Sequence, residues 1–145
     1  MGRLDMIHQD IFIRDYGWKV SVWYAVRGYR IAGVLTDLRL AGCPPEEMLE
    51  FRRFMDRCEY DKGMTYSNTD TRESVMVIGL AGCAEQYANT IAHEAGHLAE
   101  NIASECGVDL RSEEFCYLIG KIAEKMYPVS HRLTCPECMN GKKLS

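Results

Sequence analysis

The chain has 145 residues, 47% of them hydrophobic and 26% charged, which suits one globular domain with a sizeable core and argues against a disordered chain. A net charge of -4 with a pI near 5.6 argues against a general binder of nucleic acid or of anionic membrane. Seven cysteines, at 43, 58, 83, 106, 116, 135 and 138, are an odd number with one close pair, so they form no secreted disulfide framework. The first ten residues hold no apolar run of the length that a signal peptide or membrane span needs, and a cytoplasmic protein is expected.

Taken in order, Ile11-Phe12-Ile13 is followed by the turn-like Asp15-Tyr16-Gly17, after which Trp18, Val20, Val22, Tyr24 and Val26 alternate with Lys19, Ser21 and Trp23. Period two over that length predicts a hairpin. Ile31, Val34, Leu35 and Leu38 then show helical spacing up to Gly42, and Pro44-Pro45 opens a second helix with Met48, Phe51, Met55 and Cys58 inward. From Asp61 to Glu73 the residues are mostly Gly, Thr, Ser, Asn, Asp and charged types, which predicts a loop. Ser74 to Leu80 is a short β-rich run. A long helix follows from about Ala84 to Glu105 with Gly107 as its C-cap, and Ser112 caps one more helix, which Pro128 should end. The expected architecture is α+β: a small mixed sheet of about three strands, with room for an extra N-terminal strand, packed on helices. Residues 1–133 form the domain and 134–145 a C-terminal tail.

The chemistry concentrates in His93-Glu94-Ala95-Gly96-His97. On a helix, residues four apart share a face, so His93 and His97 can offer two imidazole nitrogens to one zinc ion. Glu94 lies about 100° round the helix from His93, within reach of a water held by that metal, as a general base requires. Tyr87, Ile91, Ala95, Leu98 and Ile102 give the same helix an apolar stripe. Two surface histidines on an amphipathic helix would be the plain structural alternative.

Catalytic zinc takes three protein ligands as a rule. Glu100 and Ala103 stand where a metzincin has Gly and His, so that extended motif is excluded. His131 lies past Pro128. Glu113 and Glu114, on the next helix, are the carboxylates available, and Glu113 shares a stripe with Tyr117 and Gly120 whereas Glu114 shares one with Leu118. That phase favours Glu113 as ligand and places Tyr117 to donate a hydrogen bond to a developing oxyanion. The competing reading of either glutamate is a solvated first turn favoured by the helix dipole.

The motif helix followed by a glutamate on the next helix resembles the gluzincin group of zinc metallopeptidases, in which such a glutamate is the third ligand. The run from Gly63-Met64-Thr65-Tyr66-Ser67-Asn68 through Arg72 to Ile78 and on to Glu113-Glu114-Phe115-Cys116-Tyr117-Leu118-Ile119-Gly120 is also similar to small proteins of phages and gut bacteroidetes. In those, the glutamate four before the Tyr-Leu-x-Gly run recurs, which corresponds to Glu113. The Asn-Glu-x-x-Ser-Asp signature of larger gluzincins is absent. The resemblance implies a zincin-like fold and a small metallopeptidase that cleaves peptides or proteins.

His131, Cys135 and Cys138 are spaced as three zinc ligands, but a structural site needs four and one C-x-x-C is half a zinc ribbon. A reduced polar tail is the simpler reading. Two functions follow: a zinc-dependent peptide hydrolase whose substrate pairs with the strand Ser74 to Leu80 as an exposed edge, or a catalytically silent zinc-stabilised binding or phage-assembly protein. The intact Glu94 favours the hydrolase, since a structural site needs no base.

Overall fold

The alternation of the first third of the chain builds a hairpin of β1 (Ile7–Ile13) and β2 (Trp18–Tyr24). The connection is a 3-10 turn, Arg14–Tyr16, closed by Gly17, whose φ of 60° lets its N–H return to the Arg14 carbonyl. Helices α1 (Ile31–Leu40) and α2 (Pro45–Arg57) follow, then β3 (Gly63–Asn68), β4 (Glu73–Ile78), α3 (Ala84–Cys106) and α4 (Glu113–Ser130), with a last 3-10 turn at His131–Leu133. This computed structural model describes residues 7–25, 31–57 and 61–133. Cys58, Cys135, Cys138 and the tail as a whole lie outside the described residues.

The four strands form one mixed sheet in the order β1-β2-β4-β3. β2 and β4 run parallel, joined by the crossover through α1, α2 and β3, and the outer pairs are antiparallel. Period two divides the side chains between two layers. Ile11, Ile13, Trp18, Val20, Val22, Tyr24, Met76 and Ile78 point toward α3 and α4, where they meet Tyr87, Leu98, Ile102, Ile122 and Met126. Val75, Val77 and Tyr66 point the other way, onto Val34, Leu38, Phe51 and Met55 of α1 and α2. Each large side chain so buried contributes roughly 1.5–3 kcal/mol. Among the described residues, no helix is long and apolar enough to cross a membrane.

Three expectations are corrected. The segment predicted as a loop from Asp61 to Glu73 contains β3, so the sheet has four strands, and the added one is not N-terminal. β4, expected as an exposed edge, lies between β2 and β3 with both sides paired, so β1 and β3 are the edges. Pro128 does not end α4, which continues to Ser130; the helical bond from the His131 N–H to the Tyr127 carbonyl carries the chain past it. The expected caps are present: Gly107, at φ 73°, closes α3 through the Ala103 carbonyl, and the Ser112 hydroxyl accepts from the Phe115 N–H.

Candidate metal centre on helix α3

Helix α3 lies over the β3 side of the sheet and presents three flanks. Leu98 and Ile102 fill the core, and Ala95, about 100° round from Glu94, is fully buried. Glu94 and Asn101, seven residues apart and so on one face, meet β3. Asn101 Nδ2 donates to Ser67 Oγ at 2.8 Å, and Thr65 Oγ1 donates to Glu94 Oε1 at 2.7 Å. His93, about 100° round in the direction opposite to Ala95, is exposed together with His97.

The two imidazoles converge. Their Nε2 atoms are 3.1 Å apart and the rings stand nearly perpendicular, at 85° with centroids 4.6 Å apart. Two nitrogens on one tetrahedral zinc at 2.0–2.1 Å would be about 3.3 Å apart, so the pair is spaced as two donors to a single ion. The Nδ1 atom of His97 faces Glu100 Oε1 at 3.9 Å, an ion-pair distance between two exposed groups.

Glu94 is only 2% exposed. It runs directly beneath the edge strand: a Cβ on Gly63 would fall 2.7 Å from Glu94 Cγ and 3.0 Å from Cδ. Among the described residues its one hydrogen bond is from Thr65, and no cation stands within ion-pair distance. Withdrawing a carboxylate from water costs several kcal/mol unless charge or several donors offset it. One hydroxyl is a small offset for such a group. β3 is held to α3 a second time by Asn101, and from Ser67 the polar chain continues to Ser74 Oγ at 2.7 Å and to the indole N–H of the fully buried Trp18.

Glu113 and Tyr117 are elsewhere. α4 packs along β1, where Gln9 Nε2 donates to the Lys125 carbonyl at 2.9 Å, and Glu114 Oε2 accepts from the Tyr16 hydroxyl at 2.6 Å. That hydrogen bond, with partial burial and the charge of Glu114, pushes the Tyr16 phenol up to about 12. Glu113, Glu114 and Tyr117 line a hollow of about 460 Å³ with Ile13, Asp15 and Tyr16. β1 and β3 are the two edges of a four-stranded sheet, three strand spacings or roughly 14 Å apart. Glu113 is therefore not brought to the histidine pair as the expected third ligand, and Tyr117, 74% exposed, is not the expected oxyanion donor beside it. Among the described residues, no group of three His, Cys, Asp or Glu side chains stands ready to hold a metal ion.

A second polar cluster lies on the opposite face of the sheet, where α1 and α2 leave β1 and β2 open. His8 Nε2 is 2.7 Å from Ser21 Oγ, which is also 2.7 Å from Asp37 Oδ2, in a groove of about 510 Å³. It is no Ser-His-Asp relay. Asp10 reaches the same Nε2, at 3.2 Å, whereas a relay needs its carboxylate on Nδ1.

Comparison with protein-family models, curated proteins and solved structures yields no match to this chain.

Sequence reasoning missed Thr65 and Gly63. Thr65 and Ser67 alternate with Met64 and Tyr66, a period-two pattern whose polar half faces Glu94 and Asn101. Matching that pattern to the seven-residue spacing on α3 is the signal that would have found them.

Proposed function

We propose that the chain is a zincin-like metal-dependent hydrolase of peptide bonds, in which His93 and His97 bind the metal and Glu94 is the general base. The observation that carries this reading is a pair of converging imidazoles on one flank of α3 and, on the adjoining flank, a buried carboxylate with one hydroxyl as its described donor. A carboxylate kept in that setting is poorly explained by stability. Proton transfer beside a bound cation explains it better. A bound zinc would supply a Lewis acid and lower the pKa of a water toward 7. Glu94 would accept the proton of the attacking water and return it to the leaving amine. Glu113, at the far edge, takes no part, and water would fill the remaining metal positions.

The outer edge of β3 is the place for substrate. It borders Glu94 through Thr65, and its backbone groups are unpaired on one side among the described residues, so an extended peptide can add as a further strand. The second reading is a metal-stabilised binding or assembly protein, favoured by the tie from Thr65 to Glu94, which serves packing as readily as chemistry. The test is mass-spectrometric analysis of a diverse peptide library incubated with zinc-loaded protein. Cleavage that a chelator abolishes supports the hydrolase, and full zinc occupancy without cleavage supports the second reading.

A further inference from the structure

Two imidazoles leave a zinc-type ion with positions to fill, and two carboxylates of the same helix could fill one: Glu100, whose Oε1 is 3.9 Å from His97 Nδ1 on the solvent side, and Glu94, which is buried. Glu94 lies three residues from His97, a spacing that puts side chains about 5–6 Å apart at Cβ, and carboxylate oxygen is an ordinary zinc ligand. A glutamate that swung onto the metal would cease to be a free base. Something must hold it back.

We propose that Thr65 is the positioning residue that keeps Glu94 a base instead of a ligand; this rests on the metal-site reading above. A threonine hydroxyl has one proton to donate, and that of Thr65 goes to Glu94 Oε1 at 2.7 Å, fixing the carboxylate toward β3. Gly63 leaves the room for this path, because a side chain there would collide with Glu94 Cγ. The strand that carries both residues is itself fixed to α3 by Asn101 and Ser67, so the Thr65 hydroxyl is held in place rather than free to follow Glu94. The general base and the edge strand are thereby one unit.

Cobalt(II) is the probe, because its visible absorption reports the ligand set without any turnover. The full chain would be titrated as wild type, Thr65→Ser, Thr65→Val, Glu94→Gln and the Thr65→Val, Glu94→Gln double variant, with Thr65→Ala in place of the valine if that variant does not fold. Serine keeps the hydroxyl and should keep the wild-type spectrum and affinity. Loss of the hydroxyl should change the spectrum and tighten binding, by about tenfold if the freed carboxylate counts for as much as an outer-shell partner does, with the sign reversed because a ligand is gained. Adding Glu94→Gln should cancel both changes. An unchanged spectrum and affinity in the valine or alanine variant would overturn the proposal, as would a change that persists in the double variant, which marks a packing effect. Wild type that binds no cobalt(II), or binding that survives His93→Ala with His97→Ala, would instead overturn the metal-site reading itself.

Discussion

Two regions carry carboxylates beside aromatic or imidazole groups, and they differ in how those carboxylates are satisfied. At the β1 edge, Glu114 is solvated, accepts from Tyr16, and sits in the first turn of α4, where the helix dipole favours negative charge. At the β3 edge, Glu94 is buried in the middle of α3, far from either helix end, with a single hydroxyl as its described donor. The first arrangement is explained by local stability. The second is not, and a group that stability leaves unexplained is the better marker of function.

The largest effect that would sharpen this contrast is on catalysis. Glu94→Gln keeps the size of the side chain and removes its capacity to take a proton, so any peptide hydrolysis should fall by ~100- to 10,000-fold with zinc content unchanged. Steady-state rates beside metal analysis check it, and equal rates in the two proteins would remove Glu94 from the mechanism.

Two glycines test the packing of the two regions. Gly63→Ala drives a Cβ to 2.7 Å from Glu94 Cγ and 3.0 Å from the Val77 carbonyl oxygen, an overpacking that should cost about 1–3 kcal/mol. Gly120→Ala on α4 meets nothing within 4 Å and should stabilise the helix by up to about 1 kcal/mol. Urea denaturation of the two variants gives both signs. A neutral Gly63→Ala would mean that β3 does not press on Glu94.

At the β1 edge the effects are smaller. Glu114→Gln should bring the Tyr16 phenol down from about 12 toward its ordinary value of 10.0, read by ultraviolet titration of tyrosinate. Because the folded state favours the neutral phenol, the contribution of Tyr16 to stability is full below pH 10 and is lost as pH rises from there through about 12. Glu113→Ala should leave zinc affinity within about twofold of wild type by competition with a chelator, since a change at an exposed position away from the pair has little to act on. A marked loss would restore Glu113 as a ligand and break the contrast between the two edges.

The hairpin, the helices and most caps were legible because period two, helical spacing, Gly107 and Ser112 are local signals. β3 was not legible, since its α3-facing side chains are Thr65 and Ser67, whose partners are a glutamate and an asparagine on α3 rather than core. The apolar half of its alternation is only Met64 and Tyr66, too short a run among Gly, Asn, Asp and charged residues to stand out from a loop. For the site, the spacing of His93 and His97 was sufficient to foresee their convergence. The partner of Glu94 and the remoteness of Glu113 depend on strand order, which no local pattern encodes. The helical phase of Glu113 on α4 fixed its stripe but left open which edge of the sheet that stripe would meet.

The central claim is a metal site at His93 and His97 on the exposed flank of α3, beside the flank that meets β3, and the direct measurement is zinc content of the purified chain by elemental analysis, beside that of the His93→Ala, His97→Ala double variant. The account predicts one zinc per chain in the wild type and its loss in the double variant, with the fold retained by circular dichroism because both histidines are exposed. Wild type without zinc after equilibration with the metal, or a double variant that keeps it, would contradict the account.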